Sequence, residues 1–500
     1  MRVRNHVLVI GSGLAGINAA LLASEFAHVT LISKSSLDET NTQRAQGGIA
    51  AAITLLDDPE IHAADTIRAG AGLCDPRAVK TLTGEARRAI DRLVDLGVKF
   101  DHRTDGHPAL ATEGAHSIPR VLHAGGDRTG LHIQTALIQR LQAAEVDVRT
   151  ELTVSDLAID AGRCVGAVTD KHETVQADAV VLATGGAGAL YRTTTNPANA
   201  TADGLGLAAR AGAVLRDLEF VQFHPTALIG DDSAFLISEA LRGEGAVLLD
   251  AAGQRFMPAV HPDAELAPRS VVARAITESM RAHNSEHVWL DISHLDADYL
   301  QQRFPGVYRG ALDRGHDITA GPVPVAPAAH YHMGGVYTDI DGRTTVSGLY
   351  AAGECASTGA HGANRVASNS LLEAAVFSAR TVDAIRKQTG PADQPTGAIR
   401  SLRLHPHCSA PTFETLRATM NEHVGIARDA DGLQTALAQF DEWSGTSSSD
   451  PSLALATLSA RLIAEAALRR TESRGSHIRL DYPQVDPAWQ RNSLWQLARE

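Results

Sequence analysis

Gly11-Ser12-Gly13-Leu14-Ala15-Gly16 has the spacing of a phosphate-binding turn. Gly11 allows the tight turn, Gly13 lets backbone N–H groups approach a pyrophosphate, and Gly16 permits close helix–strand packing. Further along, charged groups stand among apolar ones in Phe223-His224-Pro225-Thr226, Ser238-Glu239-Ala240-Leu241-Arg242, Pro268-Arg269, His330 and Asn364-Arg365. Arg and His are the side chains that clamp carboxylates, Arg through a planar bidentate fork. The net charge is −13, so a local gathering of Arg and His would mark an anion site within an acidic protein.

A second gathering places His102, His107, His116, His123 and His132 near Glu113, Arg120, Asp127 and Arg128. No pair here has the H-E-x-x-H spacing of a helical metal site, so no metal is expected. Solvated or core histidines account for most of the group. Glu113 falls in a loop, where binding residues concentrate.

The elements that must position these groups follow from hydrophobic patterning. Val7 to Ile10 reads as a short buried strand, Ile17 to Phe26 as an apolar helix, and His28 to Ile32 as the next parallel strand. That strand ends in Ser33-Lys34-Ser35 rather than the usual acid, which weakens a nicotinamide dinucleotide reading and leaves Ser33 or Lys34 as a ribose contact. By composition, residues 41 to 50 read as an ordinary loop, although Gly47-Gly48 would let backbone approach a flat ligand. Residues 59 to 100 read as two amphipathic helices, starting near Pro59 and Pro76. Residues 150 to 176 read as a strand meander, and Asp203 as a helix cap. Strands closing on Gly185-Gly186 and on Gly353-Glu354 would bring two more strand ends to one ligand. Between 218 and 331 the βαβ pattern stops, and Pro322, Pro324 and Pro327 mark a rigid return from an inserted domain. A Pro/Gly linker follows at 388 to 395, and 412 to 475 reads as helical around a loop from Ser444 to Ser452.

Length and composition set the frame. Five hundred residues suggest roughly three domains. Apolar content of 44% and charged content of 21% are those of an ordinary globular protein. The acidic balance argues against nucleic acid or an anionic membrane surface as partner. Cys74, Cys164, Cys355 and Cys408 are far apart and read as buried reduced thiols. No signal peptide or uncharged membrane-spanning run is visible, so a cytoplasmic location is expected.

Taken in order, Gly11-Ser12-Gly13-x-Ala15-Gly16, Ala45-Gln46-Gly47-Gly48, His224-Pro225-Thr226, Arg242-Gly243-Glu244-Gly245, Ala267-Pro268-Arg269 and Gly362-Ala363-Asn364-Arg365 resemble the succinate dehydrogenase/fumarate reductase flavoproteins. The agreement in order and spacing runs from residue 5 to beyond 480. Within that family the chain looks most like the branch that oxidises L-aspartate. Glu113-Gly114-x-His116-Ser117, Leu290-Asp291-Ile292-Ser293-His294, Pro327-Ala328-Ala329-His330-Tyr331 and Glu472-Ser473-Arg474-Gly475 carry that likeness.

The resemblance implies an α/β FAD-binding (Rossmann-like) domain with an inserted α+β capping domain and a C-terminal helical domain. The expected extents are 1–217 and 332–390 for the two parts of the FAD-binding domain, 218–331 for the capping domain and 396–500 for the helical one. FAD would be held by Gly11, Ser12, Gly13, Leu14, Ala15, Gly16, Lys34, Asn41, Thr42, Gln43, Arg44, Ala45, Gln46, Gly47, Gly48, Asp203, Glu354, Ser370 and Leu371. Asn41 stands where succinate dehydrogenases carry the flavin-linked His, so the implied FAD is non-covalent.

His224, His330 and Arg365 match the family's carboxylate-binding positions, with Ser238 where relatives commonly have Thr. Arg269 matches the proton-transfer residue, and Glu239 and Arg242 its relay. Glu113 stands where dicarboxylate-only relatives lack an acid, and a carboxylate there can pair with an ammonium group. It is expected both to take part in catalysis and to set specificity. Ala115 replaces a family Gly in the same loop.

The implied reaction is oxidation of L-aspartate to iminoaspartate, with a hydride passing from Cα to flavin N5 and reoxidation by oxygen or fumarate. It would open NAD (quinolinate) synthesis and be coupled functionally to quinolinate synthase. The alternative is a soluble fumarate reductase or succinate-oxidising flavoprotein. A flavoprotein subunit of a membrane complex is disfavoured by the missing flavin-linked His.

Overall fold

The computed structural model describes residues 5–230, 234–388, 390–402, 411–443 and 450–498. The strand His6–Ile10 lies at the centre of a five-stranded parallel sheet. The order is Leu349–Ala351, Ala179–Leu182, His6–Ile10, His28–Ile32, Asp147–Arg149. Leu8, Ile10, Val180 and Leu182 face one core, while Val7, Val9, Ala179 and Val181 face another. That is the period-two alternation of a strand covered on both sides.

The helix Leu14–Ser24 covers one face and is apolar nearly all round, as an enclosed helix must be. Its buried Asn18 donates to Ser378 Oγ at 2.8 Å, on the helix Asn369–Arg386. The other face carries the strands Val154–Asp160 and Arg163–Thr169, the helix Asp203–Arg210 and the long helix Pro451–Arg469. Pro451–Arg469 is long and apolar enough to cross a membrane, but 78% of its apolar window is buried inside the protein.

A second, antiparallel sheet takes the order Phe235–Leu236, Val221–Leu228, Val323–His332, Val288–Asp291, Val247–Leu249. The helix Arg269–His283 packs against it. Pro324 and Pro327 do not form a return loop. They lie within the ten-residue strand Val323–His332, at the middle of this sheet. The register pairs His224 with Ala328 and then Ala227 with Ala326, so Pro225 and Thr226 oppose Pro327 alone. A bulge of this kind tolerates prolines that cannot donate to a ladder, and it re-aims neighbouring side chains.

Three further local readings differ from the structure. Residues 59 to 100 form three helices, Pro59–Ala69, Pro76–Gly84 and Ala86–Asp95, because the second breaks at Gly84-Glu85. Asp203 does not cap its helix. Ala202 occupies the N-cap with φ 58°, and Asp203 is the first helical residue, 3.0 Å from Lys34 Nζ. The C-terminal segment contains the helices Phe413–His423, Ala430–Trp443 and Pro451–Arg469. It also contains the strands Ile399–Leu402 and Leu494–Leu497, which pair together and join Leu215–Arg216 in a third sheet. Four-residue strands carry too little periodicity to be read alone.

Cys164 and Cys355 are buried free thiols, whereas Cys74 is partly exposed rather than buried. Cys408 and residues 444–449 of the Ser-rich loop lie outside the described residues.

Candidate functional site

Two connected clefts open at the carboxyl ends of the parallel strands, where ligands of open α/β sheets bind. The larger spans about 1380 Å³ and the smaller about 460 Å³, open solvent at their mouths included. Ala45, Leu236, His330, Ser370 and Leu371 line both.

The large cleft runs along the glycine turn. A methyl group on Gly11 would sit 2.1 Å from the Ala183 carbonyl, and one on Gly16 would sit 1.9 Å from the Gly11 carbonyl. Glycine is therefore required at both positions. The helix Leu14–Ser24 begins without a side-chain cap, although Leu14 N–H is met by Thr42 Oγ1 at 3.0 Å. An uncapped helix start facing a cleft suits a pyrophosphate.

At its other side, Glu354 accepts from Asn41 Nδ2 and from the His332 N–H, both at 3.0 Å. Burial pushes its carboxyl up to about 7. Gly11, Ser12, Gly13, Leu14, Ala15, Lys34, Asn41, Thr42, Arg44, Ala45, Asp203, Glu354, Ser370 and Leu371 all line this cleft. Gln46, Gly47 and Gly48 line the smaller one, with Gln46 Oε1 buried and unpartnered. Gly16 and Gln43 line neither: Gly16 serves packing, and the Gln43 N–H is taken by Thr40 Oγ1. Lys34 is held by Asp203 and Thr201.

Into the small cleft converge Glu113, His224, Ser238, Glu239, Arg269, His330 and Arg365, drawn from sites far apart in the chain. Arg242 is not part of its lining. It lies buried behind, with Nη2 3.5 Å from Glu239 Oε1 and Nη1 on the Glu265 carbonyl.

Arg269 opens the helix Arg269–His283 and donates through Nε to Glu239 Oε2 at 2.6 Å. A cation at a helix N-terminus opposes the dipole, and the adjacent carboxylate offsets this. Burial would raise the Glu239 carboxyl, but Arg269 and Arg242 hold it below the usual range. Ser238 caps the helix Glu239–Gly243 through its hydroxyl.

His224 and His330 meet edge to face with ring centroids 5.2 Å apart. Burial, followed by the charge of Arg269, keeps both imidazoles neutral. His330 Nδ1 lies 2.9 Å from Thr195 Oγ1. Arg365 lies 4.7 Å over the Tyr331 ring and keeps its Nε buried without a partner. Its guanidinium is lowered to about 10 by burial and by Arg269. Two guanidiniums and two neutral imidazoles can together hold two carboxylates.

Glu113 faces this group from the loop side. Its Oε2 accepts from Ser368 Oγ at 2.5 Å, and its Oε1 lies 3.2 Å from His123 Nε2. Burial would raise the carboxyl, but the His123 and Ser368 hydrogen bonds and nearby positive charge hold it at about 2. The loop itself hangs on fully buried Arg120, which bonds Asp57, Asp65 and His116. Ala115 in this loop is held at φ 70°.

Several contributors were not singled out by the sequence. Gln222 Oε1 accepts from both Arg269 Nη1 (3.3 Å) and Arg365 Nη2 (3.1 Å), bridging the two cations. Its place two residues before His224 is the signal that could have found it. Ser368 lies two residues before Ser370. His123 was grouped with the solvated and core histidines, and only its contact with Glu113 separates it from them.

A family model described as an FAD binding domain matches residues 6–371, and one described as the fumarate reductase flavoprotein C-terminus matches 451–500. L-aspartate oxidase of Caulobacter vibrioides is 45% identical over 99% of this chain and 96% of its own length. The chain belongs to the L-aspartate oxidase family. The L-aspartate oxidase of Streptomyces coelicolor is 43% identical over 98% of this chain and 91% of its own length. E. coli quinol fumarate reductase FrdA superposes with a TM-score of 0.87 at 30% identity, over 97% of this chain and 93% of that one. FAD is therefore the cofactor of this family member, and the large cleft offers a helix start without a side-chain cap and the buried Glu354 carboxylate, groups that fit FAD.

Proposed function

We propose that the chain is an enzyme that oxidises L-aspartate to iminoaspartate, the first step of quinolinate and NAD synthesis. FAD, when bound, supplies the hydride acceptor. The protein's share is to bind, orient and manage protons. In this reading His224, His330 and Arg365, with Ser238 beside them, take the two carboxylates. Arg269, backed by Glu239 and Arg242, stabilises and orients the substrate, and it donates the proton when fumarate is reduced instead. Asn41 carries no imidazole to link to flavin, so FAD is held non-covalently.

One observation carries the choice of aspartate over succinate. Glu113 places an ionised, buried carboxylate in the same cleft as the carboxylate-binding cations. Beside a dianion without an amine this charge would be uncompensated, whereas an ammonium group pairs with it. The same geometry disfavours a dedicated succinate oxidiser. Domain extents of 1–217, 218–331, 332–390 and 396–500, a cytoplasmic location and functional coupling to quinolinate synthase complete the proposal. The coupling follows from chemistry, since an imine is hydrolysed in water unless consumed. Oxygen or fumarate would reoxidise the flavin.

Anaerobic addition of L-aspartate to purified holoenzyme should bleach the flavin, while succinate at the same concentration should not. Bleaching by succinate alone would overturn the assignment.

A further inference from the structure

Before an amine can lose hydride from its carbon it must shed a proton, because an ammonium nitrogen has no lone pair to form the C=N bond. The proposed function places that ammonium beside Glu113 but leaves the proton there. Glu113 is an enclosed group, with its side chain 3% exposed. The carboxyl, held below the usual range, gives that proton up readily, but enclosed as it is it needs a neighbouring acceptor to pass the proton on.

The groups around Glu113 differ in what they can accept. Arg269 is a cation, and Glu239 is committed to Arg269 at 2.6 Å. His116, on the same loop, has both ring nitrogens engaged: Nδ1 accepts from Arg120 Nη1 at 2.8 Å, and Nε2 meets the Ala367 carbonyl at 2.9 Å. Ser368 is a hydroxyl with no basic capacity near neutral pH. His123 is different. Its Nε2 lies 3.2 Å from Glu113 Oε1, and its ring is more open than Glu113, with 8% of the side chain exposed. It stands next to the strand Val121–Leu122, which pairs with Ile49–Ala50 directly after the Gln46-Gly47-Gly48 turn. The carboxylate faces that turn as well: a methyl group on Gly47 would lie 3.6 Å from Glu113 Oε1.

We infer that Glu113 and His123 form a proton exit for the substrate amine. An N–H bond of the ammonium breaks as an O–H bond forms on Glu113. With the His123 ring in the tautomer that carries its hydrogen on Nδ1, that O–H then breaks as an N–H bond forms on Nε2, the imidazolium releases its Nδ1 proton to solvent, and proton exchange with solvent restores the first tautomer. No electrons move in these steps, and Glu113 returns to its carboxylate state. His123 acts through Glu113 and is a positioning and relay residue. Ser368 holds the other carboxylate oxygen throughout.

This inference rests on aspartate being the substrate, and the test separates the two claims. The pH profile of aspartate kcat/KM is measured for wild type and for His123→Gln, whose amide still donates to Glu113 but does not titrate. The wild-type profile should reach a plateau. His123→Gln should lose about 10²-fold at pH 7.5, the scale of general acid–base catalysis. Its profile should keep rising until the free amine of aspartate predominates, and added imidazole should restore part of the rate. Fumarate reduction, which removes no amine proton, serves as the internal control and should change far less. Flavin content and melting temperature of His123→Gln and His123→Asn report folding. Equal losses in both reactions, or a mutant profile with the wild-type shape, overturn the relay. A wild-type enzyme that aspartate does not reduce overturns the assigned reaction instead.

Discussion

The backbone N–H of Ser476 donates to the carbonyl of Ala363 at 2.9 Å, and Ala363 in turn donates to the Gly70 carbonyl at 3.0 Å. The turn that carries Arg365 is thus held from two sides by segments remote in sequence. Its C-terminal support is itself anchored. Glu472, fully buried, binds Arg470 and Arg474, and Arg474 reaches the Ala71 carbonyl at 2.7 Å. The late Glu472-Ser473-Arg474-Gly475 motif therefore acts on the substrate cleft through Ala363 rather than by contact.

Gly475 makes this support testable. Its φ is 55°, and a methyl group there would lie 2.3 Å from the Ala363 carbonyl. Gly475→Ala adds roughly 1 kcal/mol of left-handed backbone strain and pushes the Arg365 turn away. The expected result is a KM for fumarate raised several-fold, with a smaller loss of kcat. Steady-state kinetics on flavin-replete protein checks it, and a lower melting temperature with unchanged KM would count against the support.

Glu113→Gln removes the ionised partner of the amine while keeping the shape. Aspartate oxidation should fall by about 10²-fold or more, since a buried charge partner is worth several kcal/mol. Fumarate reduction should fall much less, or rise, because a dianion no longer meets an adjacent anion. Assaying both reactions on one preparation decides the matter, and equal losses would show that Glu113 does not read the amine.

Ala115→Gly should stabilise the protein. At φ 70° the alanine Cβ is strained, a cost of about 1–2 kcal/mol. The added backbone freedom of glycine in the unfolded chain returns about 0.5–1 kcal/mol of that. A net gain of about 0.5 kcal/mol is expected in denaturant unfolding monitored by flavin release and circular dichroism.

Glu354 makes the flavin-free protein pH-sensitive. Its carboxyl is raised by burial from 4.5 to about 7. In that window the folded state therefore binds more protons than the unfolded one, and stability falls as pH rises. Glu354→Gln should remove this component from the melting profile between pH 4.5 and 7. In the wild type, FAD affinity should strengthen as pH passes 7, because an ionised carboxylate is the better acceptor for a hydroxyl. Fluorescence titration of the flavin-free protein with FAD across that range measures the second effect.

Local patterning made the parallel sheet legible. Val7 to Ile10, Ala179 to Leu182 and the glycines after each carry their own signal, because a strand buried on both faces must be apolar throughout. The prolines misled for a related reason. Pro324 and Pro327 read as a return, yet both lie in a central strand, Pro327 at a bulge opposite Pro225 and Thr226 and Pro324 opposite Trp289, and no single segment announces the partner that makes the bulge. The split helix at Gly84-Glu85 and the four-residue strands of the C-terminal segment lie below the length at which periodicity decides.

The sequence by itself determined the glycine turn, the βαβ start, the order of the charged motifs and, through the family resemblance, the roles expected of Glu113, Arg269 and Arg365. Only the tertiary structure decided which of the crowded histidines matters. His116 is tied into the Arg120 network, while His123, seven positions later in the sequence, touches Glu113. It also brought Gln222 between Arg269 and Arg365, and Ser476 under Ala363. These contacts join groups on different elements. Residue type and spacing encode a side chain's chemistry and its local face, but which remote side chain meets it is set by how sheets and helices pack against one another.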